Sequence, residues 1–181
     1  LQIRPETGLA PLDKLSPTCG TYAVIGNHDL HPDTGWPAAL AKTKVKVLQN
    51  QALLINCNNQ KFWIAGLEEL WWQHANAEET LAQVTDHNPV IMMMHNPDSF
   101  HDISNRVTLS VAGHTHGGQV RFPFIGSVAA VIPSEYGERY VYGHIIEEGK
   151  DLVVSSGLGM TGLPIRFMNP PEIAVVTLKA K

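Results

Sequence analysis

Short apolar runs, each closed by a polar residue, set the rhythm of this chain. Thr21–Ile25 and Pro89–Met94 are apolar almost throughout, and these two and Arg106–Ala112 read as buried strands. Between the first two, Val45–Leu48, Ala52–Asn56 and Lys61–Ala65 are strand-like, with Asn50-Gln51 and Asn58-Asn59-Gln60 as turn material, and predict local antiparallel structure. Ala77, Leu81 and Val84 fall on one face of a helix over Ala75–Thr85, and Pro37 opens a shorter one over Ala38–Thr43. Leu1–Cys19 carries Pro5, Gly8, Pro11 and Pro17 and reads as irregular connection with at most a helical turn around Leu12–Leu15. The second half is strand-dominated. Arg139–Ile146, Leu152–Ser155 and Ile173–Leu178 are expected strands, the first two joined at Gly149-Lys150. Gln119–Gly137 and Gly157–Pro171 are expected loops.

Composition narrows this picture. The chain has 181 residues, 44% of them hydrophobic, which suits one domain with a sizeable core. A net charge of −4 argues against nucleic-acid binding through a broad basic face but leaves room for a small phosphate-bearing ligand. Cys19 and Cys57 have no Cys-x-x-Cys spacing, so no thiolate zinc site is indicated; they read as two core thiols, with a single disulfide as the alternative. Runs such as Val90–Met94 are too short to span a bilayer.

The nine histidines shift attention to the strand ends. Three buried runs each end in residues able to bind metal: Gly26-Asn27-His28-Asp29, His95-Asn96 and Gly113-His114-Thr115-His116. Ligands in α/β folds gather at the carboxyl ends of strands, so three neighbouring strands would merge these segments into one site. His31, His74, His87, His101 and His144 lie in polar stretches and read as surface residues. Trp71-Trp72 fits either packing beneath its loop or a cap over an apolar pocket. Arg166 fits a structural ion pair or a phosphate contact.

Gly26-Asn27-His28-Asp29, His95 and Gly113-His114-Thr115-His116 resemble the third, fourth and fifth motifs of the calcineurin-like metallophosphoesterases. His95-Asn96-Pro97-Asp98, Gly113–Gln119, Gly157-Leu158-Gly159, Pro164–Phe167 and Pro171-Glu172-Ile173 are similar to an envelope-associated branch of bacterial phosphodiesterases, some relatives of which cleave UDP-diacylglucosamine. The resemblance implies an α/β fold, a four-layer α/β/β/α sandwich with mixed sheets. It implies metal-dependent phosphoester hydrolysis, most naturally by a phosphodiesterase with two divalent ions (Mn, Fe or Zn). Asn27, His95 and His114 would ligate one ion and His116 the other. His28 would protonate the leaving oxygen, and Asp29 would orient His28. The substrate would be a small phosphoester, nucleotide- or lipid-linked.

The family's first two motifs, Asp-x-His and Gly-Asp, have no counterpart in Leu1–Cys19. The expectation is therefore a C-terminal portion of a single metallophosphoesterase domain over residues 1–181. It would lack its first strands, retain one metal site, and expose a strand edge through which copies could associate. A non-catalytic metal-binding remnant is the alternative. A metallo-β-lactamase-like site would need His-x-His-x-Asp-His, whereas Gly117-Gly118-Gln119 follows His116 here. Cell envelope and cytoplasm both remain open as locations.

Overall fold

The computed structural model describes residues 4–31, 34–72, 74–127 and 132–179. The chain opens with a short helix, α1 (Pro5–Leu9), and a 3-10 turn, Leu12–Lys14, where mostly irregular connection was expected. Next come β1 (Tyr22–Ala23), α2 (Trp36–Leu40) and β2 (Lys46–Val47), then the hairpin β3 (Gln51–Cys57) and β4 (Gln60–Gly66). Helix α3 (Ala77–Ala82) precedes β5 (Val90–Met93) and β6 (Leu109–Ala112). Two short strands follow, β7 (Arg121–Phe122) and β8 (Gly126–Ser127), and then the hairpin β9 (Gly143–Glu147) and β10 (Lys150–Val154).

Six strands form one mixed sheet in the order β3-β4-β5-β6-β10-β9. The inner strands β4, β5, β6 and β10 are mutually parallel, and each edge strand joins its neighbour as an antiparallel hairpin. Both hairpins use two-residue turns with positive φ at both positions: Asn58 (51°) and Asn59 (62°), then Glu148 (53°) and Gly149 (77°). That twist matches the strands, and Asn and Gly tolerate it best. Helix α3 begins at Asn76, whose side chain accepts the Glu79 N–H at 3.0 Å, and its apolar face packs on the sheet through Ala77, Leu81 and Val84. The core on that face includes Trp63, Val90, Met92, Phe100, Tyr140, Leu152 and Val154, all buried. The fold is α/β with a mixed sheet, as expected.

A smaller unit carries the first site residues. β1 and β2 pair in parallel as a separate two-stranded sheet, and Leu9, Ile25, Ala39 and Leu40 form a second buried cluster beneath them. Two features lock this unit to the main sheet. Gly66, at the end of β4, lets Val24 and Leu48 approach so closely that a Cβ there would lie 2.8 Å from Val24 Cγ1. Cys19 and Cys57 form a disulfide, with Cα atoms 5.4 Å apart, across a sequence separation of 38. Closing a loop of that length restricts the unfolded chain by about 4 kcal/mol in the chain-entropy picture. The reading of two core thiols gives way to the disulfide because the fold sets the connector before β1 against the turn end of β3.

The expected strand at Ile173–Leu178 does not form. Its residues lie exposed, Ile173 at 78% and Val175 at 88%, with Ala174–Leu178 beside Thr108, Leu109, His144, Asp151 and Val153. β-propensity is realised only against a neighbouring strand, and no described strand pairs with this segment. Among the described residues no helix is long and apolar enough to cross a membrane.

Candidate metal centre

The parallel register aligns the strand ends. Gly66 pairs with Met93, and Met93 with Val111. The ladder continues past the strands, since Gly113 N donates to His95 O at 3.1 Å. His95 and His114 therefore emerge side by side. Asn27 arrives from the smaller unit, where the Gly26–Asp29 turn follows β1. That turn is closed by Asp29 N donating to Gly26 O (3.0 Å) and by Asp29 Oδ2 accepting the Gly26 N–H (2.9 Å). Gly26 then lies against the His95 ring: a Cβ there would sit 2.6 Å from Cε1 and 2.8 Å from Nδ1.

Three atoms converge. His95 Nε2 lies 2.9 Å from Asn27 Oδ1, His114 Nδ1 lies 3.2 Å from the same oxygen, and the two nitrogens are 3.0 Å apart. Donors about 2.1 Å from one ion are about 3.0 Å apart at right angles and about 3.4 Å apart at tetrahedral angles. The triangle fits one face of an octahedral centre. His114 Nε2, the other ring nitrogen, lies against the Pro133 carbonyl without a well-aligned hydrogen bond. Contact of that kind with a backbone carbonyl is how a metal-binding histidine is usually oriented. Asp98 anchors this backing, accepting from Ser134 Oγ (2.6 Å) and Glu135 N (2.7 Å). The set is two imidazoles and a carboxamide; no group of three His, Cys, Asp or Glu side chains is placed to hold a metal among the described residues.

His114 and His116 themselves adopt left-handed backbone conformations (φ 66° and 52°), followed by Gly117, Gly118 and Gln119 at 60°, 75° and 49°. The turn does not rest on the flanking glycines alone, and a non-glycine residue in this region costs on the order of 1 kcal/mol or more. Tertiary bonds hold it. Thr115 Oγ1 donates to Val141 O at 2.7 Å, and Asn169 Nδ2 donates to His116 O at 2.6 Å. His116 Nδ1 donates to Gly159 O at 3.2 Å, outside the contacts of the triangle. His28 is exposed, with Nε2 3.4 Å from Thr161 Oγ1. Gln119 pins that same loop, bonding Thr161 N, Thr161 O and Leu163 O at 2.8–3.0 Å. Asp29 reaches His28 through charge, its hydrogen bond going to the turn instead.

Asn169, Gln119, Thr115 and Asp98 thus support the site without having been assigned roles from sequence. Asn169 stands 53 residues from His116 and carries no local signal. The Arg166 guanidinium is spent on the carbonyls of Ser156, Gly157, Gly159 and Asn169, so it clamps its own loop. Trp71 is exposed rather than packed under its loop, and its ring meets His114 edge-on with centroids 4.6 Å apart.

Electrostatics keep the cluster neutral. Burial first, then repulsion from His114, His116 and His28, pushes His95 down to about 3. Burial likewise lowers His114 to about 4 against the opposing pull of the Pro133 carbonyl, and lowers His116. Neutral imidazole is the metal-binding form. The folded chain therefore resists protonation that the unfolded chain accepts below about pH 6.5. Metal-free stability is expected to fall on acidification from about pH 6.5 toward 4.5, by up to about 1.4 kcal/mol per pH unit for each of His95 and His114. Asp29 and Glu69, both raised by burial, oppose this in the carboxylate range. Thermal melts across that window check the sign, and His95→Gln should flatten the slope. A second expectation concerns Gly26. Gly26→Ala forces the His95 ring aside and should weaken divalent-metal binding about tenfold or more, with the circular dichroism spectrum unchanged.

Two imidazoles at the carboxyl edge of the main sheet meet an asparagine from the smaller unit, and comparison with known proteins gives the class. The chain belongs to the calcineurin-like phosphoesterase family, which matches residues 4–118. It is 35% identical over 177 residues to the uncharacterized metallophosphoesterase YkuE of Bacillus subtilis, covering 93% of this chain and 59% of that protein. It is 31% identical over 176 residues to phosphodiesterase YaeI of Escherichia coli, covering 94% of this chain and 61% of that protein. An uncharacterized metallophosphoesterase of Aquifex aeolicus is 30% identical over 177 residues, covering 94% of this chain and 65% of that protein. The chain thus spans about three-fifths of the length of these relatives. No solved structure gave a significant match. Family members are hydrolases that use divalent metals.

Proposed function

We propose that this protein hydrolyses a phosphodiester at a divalent-metal centre whose first site is Asn27, His95 and His114. The triangle of their donor atoms, 2.9–3.2 Å on each side, carries the reading. A divalent ion there would polarise a phosphoryl oxygen and make a bound water acidic enough to attack at neutral pH. Mn or Fe suits the octahedral spacing better than tetrahedral Zn does. The chain's own residues supply the rest. His28, exposed beside the cluster, would donate a proton to the leaving oxygen. Asp29 would fix the turn that carries Asn27 and His28. His116, turned toward the Gly159 loop, would serve a second ion. The substrate is a small phosphoester, with nucleotide- and lipid-linked esters both compatible.

One observation favours a second reading, in which this chain binds metal without turnover. A second ion needs donors besides His116, and no group of three His, Cys, Asp or Glu side chains gathers around it among the described residues. On either reading, residues 1–181 act as one part of a single metallophosphoesterase domain, and an exposed strand edge is where copies would associate. The Cys19–Cys57 disulfide supports an oxidising location such as the cell envelope. Calorimetric titration with Mn²⁺, paired with hydrolysis of bis(4-nitrophenyl) phosphate and 4-nitrophenyl phosphate, tests the proposal. One tight site per chain and faster turnover of the diester are expected. Tight binding without turnover selects the second reading, and absence of metal binding sinks both.

A further inference from the structure

We infer that Trp71 forms a wall of the substrate site and that the phosphoester bound there carries a planar aromatic substituent, an aryl group or a nucleobase. The inference rests on reading Asn27, His95 and His114 as the centre of phosphoester chemistry.

Trp71 follows β4 at the same carboxyl edge from which His95 and His114 emerge. Its indole packs edge-on with the His114 ring at 4.6 Å between centroids, so a phosphate substituent at the cluster lies within reach of it. Despite that contact Trp71 stays 52% exposed, and its neighbour Trp72 is 51% exposed. An open indole is costly in water, and the ring could be hidden by a small shift of a loose loop. The described residues of this loop are tied in place. Glu69 is buried at 1% exposure beneath it. Its carboxylate accepts the Trp72 N–H at 3.2 Å and faces the N–H groups of Leu70 and Trp71. Asn50 ties the two ends together, its Oδ1 accepting from Glu68 N (3.1 Å) and Asn76 N (3.0 Å). The fold therefore holds an apolar ring open beside a polar cluster. The arrangement suits a flat, polarisable group stacked on or against the indole while its phosphate meets the imidazoles.

The test uses the full chain loaded with Mn²⁺ and two probes, diphenyl phosphate and diethyl phosphate, with binding read by calorimetry. The wild type is expected to bind the diphenyl ester about tenfold more tightly than the diethyl ester. Trp71→Ala should abolish that preference through loss of diphenyl affinity alone, leaving Mn²⁺ affinity within about twofold, and Trp71→Phe should retain most of it. Equal wild-type affinity for the two esters would overturn the inference while leaving the phosphoester reading intact. So would a Trp71→Ala protein with weakened Mn²⁺ binding, because Trp71 would then be a prop for His114. Binding of neither ester overturns the inference together with the reading on which it rests.

Discussion

His114→Ala is expected to lower divalent-metal affinity by about 100-fold or more, because it removes one of three converging donors and leaves two to hold the ion. The effect should exceed that of any change outside the triangle. His114 is also buried, so truncation leaves a small cavity, and some thermal stability will be lost. His114→Gln keeps the volume and should separate the two effects, with stability near that of the wild type and metal binding still impaired. His116→Ala is the informative contrast. Its Nδ1 bonds the Gly159 carbonyl and makes none of the triangle's contacts, so the first site should keep its affinity within about threefold. If His114→Ala binds Mn²⁺ as the wild type does, the triangle is a hydrogen-bonded cluster and not a metal site.

His28→Ala should leave metal binding within about twofold and strike the chemistry instead. Loss of a positioned general acid typically slows the step by 10²–10⁴, and about that much is expected for a diester with an alkoxide leaving group. A nitrophenolate leaves without needing a proton, so the same variant should hydrolyse bis(4-nitrophenyl) phosphate at a rate near that of the wild type. That difference between leaving groups is the signature of proton donation, and a uniform loss on both substrates would assign His28 to binding. Thr161 Oγ1, 3.4 Å from His28 Nε2, is placed to steady the ring. Asp29→Asn keeps the size of the side chain but weakens its grip on the Gly26 N–H, so it should disturb Asn27 and His28 together.

The motifs carried the family, and with it the expected chemistry. Apolar-rich runs before Asn27, His95 and His114 announced strands; the last two lie side by side in one sheet, while the first pairs in the smaller unit. Turn residues at Asn58-Asn59-Gln60 and Gly149-Lys150 marked hairpins, and the structure sets the second turn one residue earlier, at Glu148-Gly149. Helix α3 was legible from its one apolar face, and the structure adds the Asn76 cap that starts it.

What the sequence could not contain was the set of distances. The register that places His95 beside His114 is decided by pairing between strands far apart in the chain, and so is the approach of Gly26 to the His95 ring. The disulfide depended on the fold bringing Cys19 to the end of the β3–β4 hairpin. Ile173–Leu178 has every local mark of a strand and yet forms none, because a strand exists only with a partner. Asn169 has no local mark and yet holds the His116 turn, because a single long-range hydrogen bond leaves no periodicity behind. Trp71 and Trp72 were equally compatible with burial and exposure until Glu69, buried beneath them, fixed the loop that keeps the indoles open. Residue type and order thus determined which atoms could bind metal and roughly where the strands would run. Only the three-dimensional packing decided that three of those atoms lie within 3.2 Å of one another while His116 bonds the Gly159 carbonyl, since convergence belongs to contacts between segments rather than to any segment alone.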